Sequence, residues 1–265
     1  MNNESEKLQS LLEERSVSGS AAAEAAEKML AFEDLVLERN RVINLTAITE
    51  RDEFLTKHLI DSCSCYDWPE IDAASRIVDV GTGAGFPGVP LAILYPAKKF
   101  TLIDSLGKRT QFIEDAVEAL GMTNIQVFHM RAEDAGRDNT LREKFDLCVT
   151  RAVASLSVLE EYCLPLLKVG GYLYAYKTKQ AEIELPEGKL ARQLTGGAGV
   201  AESRAIDIFG LKPTENGAFM AKQNAPNDSY RDDAALSRRI FVIRKERPTP
   251  RDYPRKAGIP TKIPL

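Results

Sequence analysis

Ile77-Val78-Asp79-Val80-Gly81-Thr82-Gly83-Ala84-Gly85-Phe86-Pro87-Gly88-Val89-Pro90 is the stretch whose reading decides the fold. A short β-branched run meets closely spaced glycines and then an apolar helical pattern through Leu94, which predicts strand, tight turn and helix. Gly81, Gly83 and Gly85 let the backbone turn sharply and approach a ligand with no Cβ in the way, and the helix N-terminus adds unpaired N–H donors. The turn reads as a nucleotide cradle.

Spacing separates the three ligand classes that use such a turn. A P-loop needs Gly-Lys-Ser/Thr after a four-residue gap; Gly83 to Gly88 fits the gap, but Val89 and Pro90 follow where the lysine and the hydroxyl belong. A dinucleotide fingerprint counted from Gly81 puts Phe86 at the third glycine. What remains is Asp79-x-Gly81-x-Gly83-x-Gly85, which resembles the first motif of S-adenosylmethionine-dependent methyltransferases. S-adenosyl-L-methionine is therefore the expected cofactor, with Gly81 and Gly83 where the backbone meets it. A second strand, Phe100 to Ile103, ends in Asp104, about twenty residues past the glycines, where a carboxylate can accept hydrogen bonds from a ribose diol. NAD would use the same acid, so Asp104 supports an adenosine ligand and does not choose between cofactors. Its alternative role is to cap the helical stretch Lys108 to Leu120.

Outward from the glycine turn, strands and helices alternate from Arg76 onward, which implies a parallel sheet covered on both faces. Strands are predicted at Ile77 to Val80, Phe100 to Ile103, Ile125 to Phe128, Phe145 to Val149 and Tyr172 to Tyr176, with a helix between each successive pair. Ligands bind at the C-terminal ends of such strands. That lines up Gly81, Asp104, the turn Arg131-Ala132-Glu133-Asp134, then Thr150-Arg151-Ala152, and Lys177. Ala205 to Phe209 and Ile240 to Ile243 would complete seven strands. The intervening stretch is too polar and too long for a hairpin, and 210–239 reads as a flexible insertion. Before the sheet, Leu8, Leu11 and Leu12 share one helical face. Met29 to Leu37 gives a second apolar helix, and Phe54, Leu55, His58, Leu59 and Cys63 give a third. Asn44-Leu45-Thr46 is a polar turn suited to capping that third helix. The expected organisation is a helical cap over 1–70, an α/β domain over 71–245 and a proline-rich tail over 246–265.

With 265 residues and 44% hydrophobic composition, the chain can bury one substantial core. No apolar run approaches a membrane span and the polar start Asn2 to Lys7 is no signal sequence, so a cytoplasmic location without membrane contact is expected. Cys63, Cys65, Cys148 and Cys163 lack Cys-x-x-Cys ligand spacing and read as buried or idle thiols. His58 and His129 are too few and too far apart to suggest a metal centre. The formal charge of −4 argues against a nucleic-acid partner until its distribution is considered. From Arg244 to Leu265 there are seven basic residues, two acids and five prolines, which predicts an extended basic arm suited to phosphate.

Several motifs in order carry a family resemblance: Asn44-Leu45-Thr46, Lys57-His58-Leu59-Ile60-Asp61-Ser62, Val78 to Gly88, Asp104-Ser105-Leu106-Gly107-Lys108-Arg109, Arg151-Ala152 and Tyr253 to Pro260. Together they resemble the bacterial RsmG (GidB) family of 16S rRNA guanine-N7 methyltransferases. The resemblance implies a class I S-adenosylmethionine-dependent methyltransferase fold, Rossmann-like, with a seven-stranded, mostly parallel sheet and an N-terminal helical extension. It implies donor contacts at Gly81, Phe86, Ala132, Glu133 and Arg151, and 16S rRNA or the small ribosomal subunit as partner of a monomeric enzyme. The chemistry agrees. After Val149 there is neither the Asn/Asp-Pro-Pro-aromatic signature of exocyclic-amine methylation nor the Pro-Cys nucleophile of pyrimidine C5 methylation. Guanine N7 needs neither, since its lone pair is available at neutral pH; positioning and electrostatics supply the acceleration. Arg151 is the candidate to hold the base through guanine O6, its alternative being a structural pair with Glu133 or Asp134. Lys177 is the second catalytic candidate, contacting base or phosphate, or else a plain solvent-facing lysine. A small-molecule methyltransferase and a non-catalytic RNA-binding module remain as rival functions.

Overall fold

The structure is a computed structural model that describes residues 3–199, 201–206 and 238–265. Its sheet grows from β1 (Arg76–Val80), flanked by β2 (Lys99–Asp104) and β4 (Phe145–Arg151). β3 (Ile125–His129) lies outside β2, and β5 (Leu167–Thr178) lies beyond β4. All these pairings are parallel. β7 (Arg238–Arg244) runs antiparallel to β5, and β6 (Glu202–Ala205) antiparallel to β7, giving seven strands in the order β3-β2-β1-β4-β5-β7-β6. The strand order reverses between β1 and β4, where a crevice opens above the C-terminal strand ends.

Strand side chains alternate between two buried clusters, as a sheet covered on both faces requires. Ile77, Leu147, Val149, Tyr174 and Tyr176 go to one face; Val78, Val80, Cys148, Leu173 and Ala175 go to the other. The first face is covered by α1 (Asn3–Glu13), α2 (Gly19–Asn40), α3 (Arg51–Phe54), α4 (Pro69–Ala73), α5 (Gly88–Leu94) and α6 (Gly107–Ala119). The second is covered by α7 (Ala132–Ala135) and α8 (Leu156–Cys163), with α9 (Lys189–Thr195) packed on α8. The N-terminal helices have no core of their own. Leu8, Met29, Phe32 and Phe54 belong to the same buried cluster as Ile77 and Phe100, and Phe32 packs on both Phe86 and Phe112. Helix α4 spans the expected boundary at residue 70.

Three sequence readings are corrected here. Asn44-Leu45-Thr46 does not cap the third helix: α3 has Glu50 at its N-cap with no side-chain cap bond. Instead Asn40 Oδ1 accepts from the amides of Leu45 and Thr46, and Thr46 Oγ1 accepts from Ile48 N and meets His58 Nε2 at 2.7 Å. The turn's side chain is spent on holding a histidine. Arg238 and Arg239, read as the end of the insertion, are strand residues of β7; the remainder of that expected insertion lies outside the described residues.

The tail is the third correction, because it is docked rather than an open arm. Lys245 is fully buried and donates to Leu164 O at 2.6 Å and to Thr249 Oγ1. Arg142 donates to the carbonyls of Thr249, Pro250 and Tyr253. Arg255 grips Glu161, 1% exposed on α8, through Nε at 2.9 Å and Nη2 at 2.7 Å. Beyond it lies a short helix, α10 (Ile259–Lys262). Proline excluded a long helix, as read, but buried partners took up Lys245, and Glu161 balances the charge of Arg255.

Candidate active site

The turn after β1 is built as its sequence requires. Gly81 and Gly83 have φ of +72° and +63°, in the left-handed region that side chains disfavour. A Cβ on Gly81 would strike Val153 at 2.4 Å, whereas one on Gly83 would meet nothing within 4 Å. Gly83 therefore leaves its backbone uncovered toward open space. Beneath the turn, Asp79 is fully buried, and its Oδ2 accepts from Thr82 Oγ1 and from Gly88 N, both at 2.8 Å. Oδ1 has no partner among the described residues. Burial, against those two hydrogen bonds, pushes its pKa up to about 7.

Asp104 does not supply the helix cap that was its alternative role, since α6 has Leu106 at its N-cap with no side-chain cap bond. Oδ1 accepts from Leu106 N, and Oδ2 accepts from Gly83 N, both at 2.9 Å, so the carboxylate ties the start of α6 to the glycine turn. An ionised carboxylate has room for further donors, so these bonds do not exclude a ligand.

A cleft of about 920 Å³ opens beside the turn and brings together Gly81, Gly83, Phe86, Arg151 and Lys177. Ala132, Glu133 and Asp104 do not line it. Glu133 is buried on α7, and its Oε1 accepts from Gly258 N of the tail at 2.7 Å. Arg151 does not pair with Glu133 or Asp134. Its Nη1 donates to Asp61 Oδ2 at 2.8 Å and to Lys57 O at 3.1 Å, and its Nη2 to His58 Nδ1 at 3.0 Å. The guanidinium also lies 5.2 Å over the Phe86 ring. Of its five N–H groups, two have no acceptor among the described residues. Lys177 is not a solvent-facing lysine: Nζ meets both oxygens of Glu184, at 3.1 and 2.7 Å.

His58 and Asp61 were the residues that sequence reasoning missed. His58 lies in a π-helical turn, Leu55–Ile60, that continues α3, and Asp61 is the C-cap residue that follows it. Such wide turns recur at functional sites because they rotate neighbouring side chains out of the regular register. His58 stacks on Phe86 with ring centroids 4.6 Å apart and planes 10° apart. Burial and the charge of Arg151 push its pKa down to about 3. Arg151 can only donate, so Nδ1 is the acceptor and the neutral ring carries its proton on Nε2, donated to Thr46. Burial opposes ionisation of Asp61, but Arg238 and Arg151 outweigh it and hold that carboxyl below the usual range. A signal did exist. Counting His58 among apolar helical positions hid the fact that His58 and Asp61 are polar groups three residues apart on an otherwise core-facing helix.

The cleft's lining carries five cations (Lys57, Arg109, Arg151, Lys177, Arg238) against three carboxylates (Glu53, Asp61, Glu184), in a chain whose formal charge is −4. The positive potential is local to the strand ends. All four cysteines are free and buried, and no group of side chains suited to a metal ion occurs among the described residues.

A parallel sheet in the order 3-2-1-4-5-7-6 with an antiparallel seventh strand, and a glycine turn at its reversal point, define a class I S-adenosylmethionine-dependent methyltransferase fold. A solved structure of a candidate O-methyltransferase from Klebsiella pneumoniae shares that fold, with a TM-score of 0.50 and 12% identity over 82% of this chain and 90% of that one. The chain belongs to the GidB family, rRNA small subunit methyltransferase G, whose model matches residues 25–201. It is 39% identical to the ribosomal RNA small subunit methyltransferase G of Alkaliphilus metalliredigens over 90% of each chain. With the same-named protein of Acetivibrio thermocellus the identity is 42%, over 91% of this chain and 89% of that one.

Proposed function

We propose that this methyltransferase transfers a methyl group from S-adenosylmethionine to N7 of a guanine in 16S rRNA. The single observation that carries the reading is Arg151, held at the cleft wall by Asp61, His58 and Lys57 O with two N–H donors to spare. A fixed guanidinium with donors left over suits guanine O6 and leaves N7 free.

The residues fit the donor. Gly83 presents uncovered backbone to the cleft, and the buried Asp79 holds the turn from beneath through Thr82 and Gly88. Gly81, Gly83, Phe86 and Arg151 would hold the donor from the cleft, Asp104 through its ribose beside Gly83, and Ala132 and Glu133 from the start of α7, outside the cleft lining. When bound, S-adenosylmethionine supplies an electrophilic methyl carbon on a sulfonium. Guanine N7 contributes its own lone pair, and the base takes up the positive charge with no proton to lose. No general base is required, and the ring of His58 is unsuited to be one, with Nδ1 engaged and its pKa near 3. Arg151 orients the base, Phe86 and His58 form an aromatic wall, and the local cation excess draws the phosphate backbone. Lys177 and its partner Glu184 stand at the same wall, where RNA can exchange for the carboxylate.

The test is incubation with labelled donor and small subunits from a strain lacking the enzyme, followed by mass mapping of the modified nucleotide. Transfer to free guanosine with equal efficiency would support a small-molecule enzyme instead. Failure to bind donor in calorimetry would leave a non-catalytic RNA-binding module.

A further inference from the structure

Arg238 stands where sequence reading offered no site. It is the first residue of β7, in register with Thr178 of β5, and its side chain is 22% exposed at the cleft wall. Nε donates to Asp61 Oδ1 at 2.8 Å and Nη2 to Asp61 Oδ2 at 2.5 Å, so one edge of the guanidinium is committed. Nη1 carries two more N–H groups, for which no acceptor is found among the described residues. Asp61 is 1% exposed and also takes Arg151 Nη1 at 2.8 Å. One carboxylate thus anchors two guanidinium groups, one from β4 and one from β7, and the trio keeps one positive charge in excess.

We infer that Arg238 binds substrate directly, its open Nη1 receiving a phosphodiester oxygen of the RNA strand that carries the target base, and that Asp61 is the positioning residue that sets Arg238 in register with Arg151. The inference rests on the RNA methyl-transfer reading above. RNA offers one anionic phosphate per nucleotide beside each base, so two guanidiniums on one anchor can take base edge and backbone of the same nucleotide. Contacts to phosphate fix register while contacts to base edges identify the base. An arginine already tied along one edge loses little further freedom when its other side binds, and its planar fork matches phosphate in a way a lysine cannot.

The experiment measures kcat and KM for unmodified small subunits across a salt series, with donor binding by calorimetry as the count of folded sites. Arg238→Gln is expected to raise KM roughly tenfold, as loss of a charge-assisted hydrogen bond does. It should also flatten the log–log salt slope by about 0.7 unit, with kcat and donor affinity near wild type. Asp61→Asn keeps both cationic charges and removes their anchor, so the salt slope holds while kcat falls more than tenfold. Arg238→Lys is expected to restore the slope and not KM. The Asp61→Asn/Arg238→Gln double variant removes the carboxylate with the guanidinium and guards against a folding defect from a buried carboxylate left with Arg151 as its one cation; it should keep the flattened slope of Arg238→Gln. A wild-type KM and slope in Arg238→Gln, or a loss confined to the number of donor-binding sites, overturns the inference. If wild-type enzyme binds subunits but methylates no N7, the functional reading fails instead, and Arg238 is then judged by the salt slope of subunit binding alone.

Discussion

At the cleft, Arg151 and Arg238 share one buried carboxylate, Asp61, whereas in the tail Arg255 has Glu161 to itself and Arg142 spends its donors on four carbonyls. Both regions are rich in arginine and both are partly buried. They differ in charge balance. Two guanidinium groups on one carboxylate keep a positive charge in excess at the cleft, whereas Arg255 and Glu161 cancel and Arg142 is spent on carbonyls. Clustered positive charge in a sequence therefore does not by itself mark a nucleic-acid surface, and the charge left over after pairing is the sharper criterion.

The largest effect should come from emptying the cleft. Arg151→Ala is expected to slow methyl transfer about 10²- to 10³-fold, the usual cost of losing a preorganised donor. Thermal stability should barely move, because Arg238 still pairs Asp61. Single-turnover rates and a melting curve check both halves, and a large drop in melting temperature would make Arg151 a structural clasp.

Next comes the converse substitution in the tail. Arg255→Ala leaves Glu161 buried and unpaired, and should cost about 3 kcal/mol in chemical denaturation. The salt slope of RNA binding should stay put; if it flattens while stability holds, Arg255 meets phosphate after all.

Titration separates the regions more gently. At saturating donor, transfer should be flat from about pH 6.5 to 8.5, because guanine N7 has no proton to remove and His58 titrates near 3. Donor affinity should instead strengthen as pH rises through about 7, where Asp79 ionises beneath the glycine turn. In the tail, burial pushes Lys245 down to about 8 from its usual 10.5. Between those values the unfolded chain binds more proton than the folded one, so stability attributable to Lys245 is fullest above 10.5 and is lost as pH falls through 8. Wild type should accordingly gain on Lys245→Met over that window in denaturation midpoints. A constant gap would show that the ammonium is not desolvated.

The smallest effect concerns the exposed remainder of the tail. Arg251→Gln with Lys256→Gln should change stability by less than about 0.5 kcal/mol. These two cations are solvent-facing, so any RNA contact they make appears only as a shallower salt slope, at most roughly 1.4 units. An unchanged slope would confine phosphate contact to the cleft.

The sequence by itself determined the strand–glycine–helix turn at Val78 to Gly88, the alternation of strands and helices, and the line of strand ends that holds Gly81, Asp104, Arg151 and Lys177. Those signals are local: φ above zero at Gly83 and the short apolar runs of strands buried on both faces are written within a few positions of the chain. Tertiary structure alone decided which basic residues remain able to bind. Asp61 and Arg238 are 177 positions apart, and Glu161 and Arg255 are 94 apart. A guanidinium is committed by whichever carboxylate the fold carries to it, and no local pattern in the chain encodes that distance.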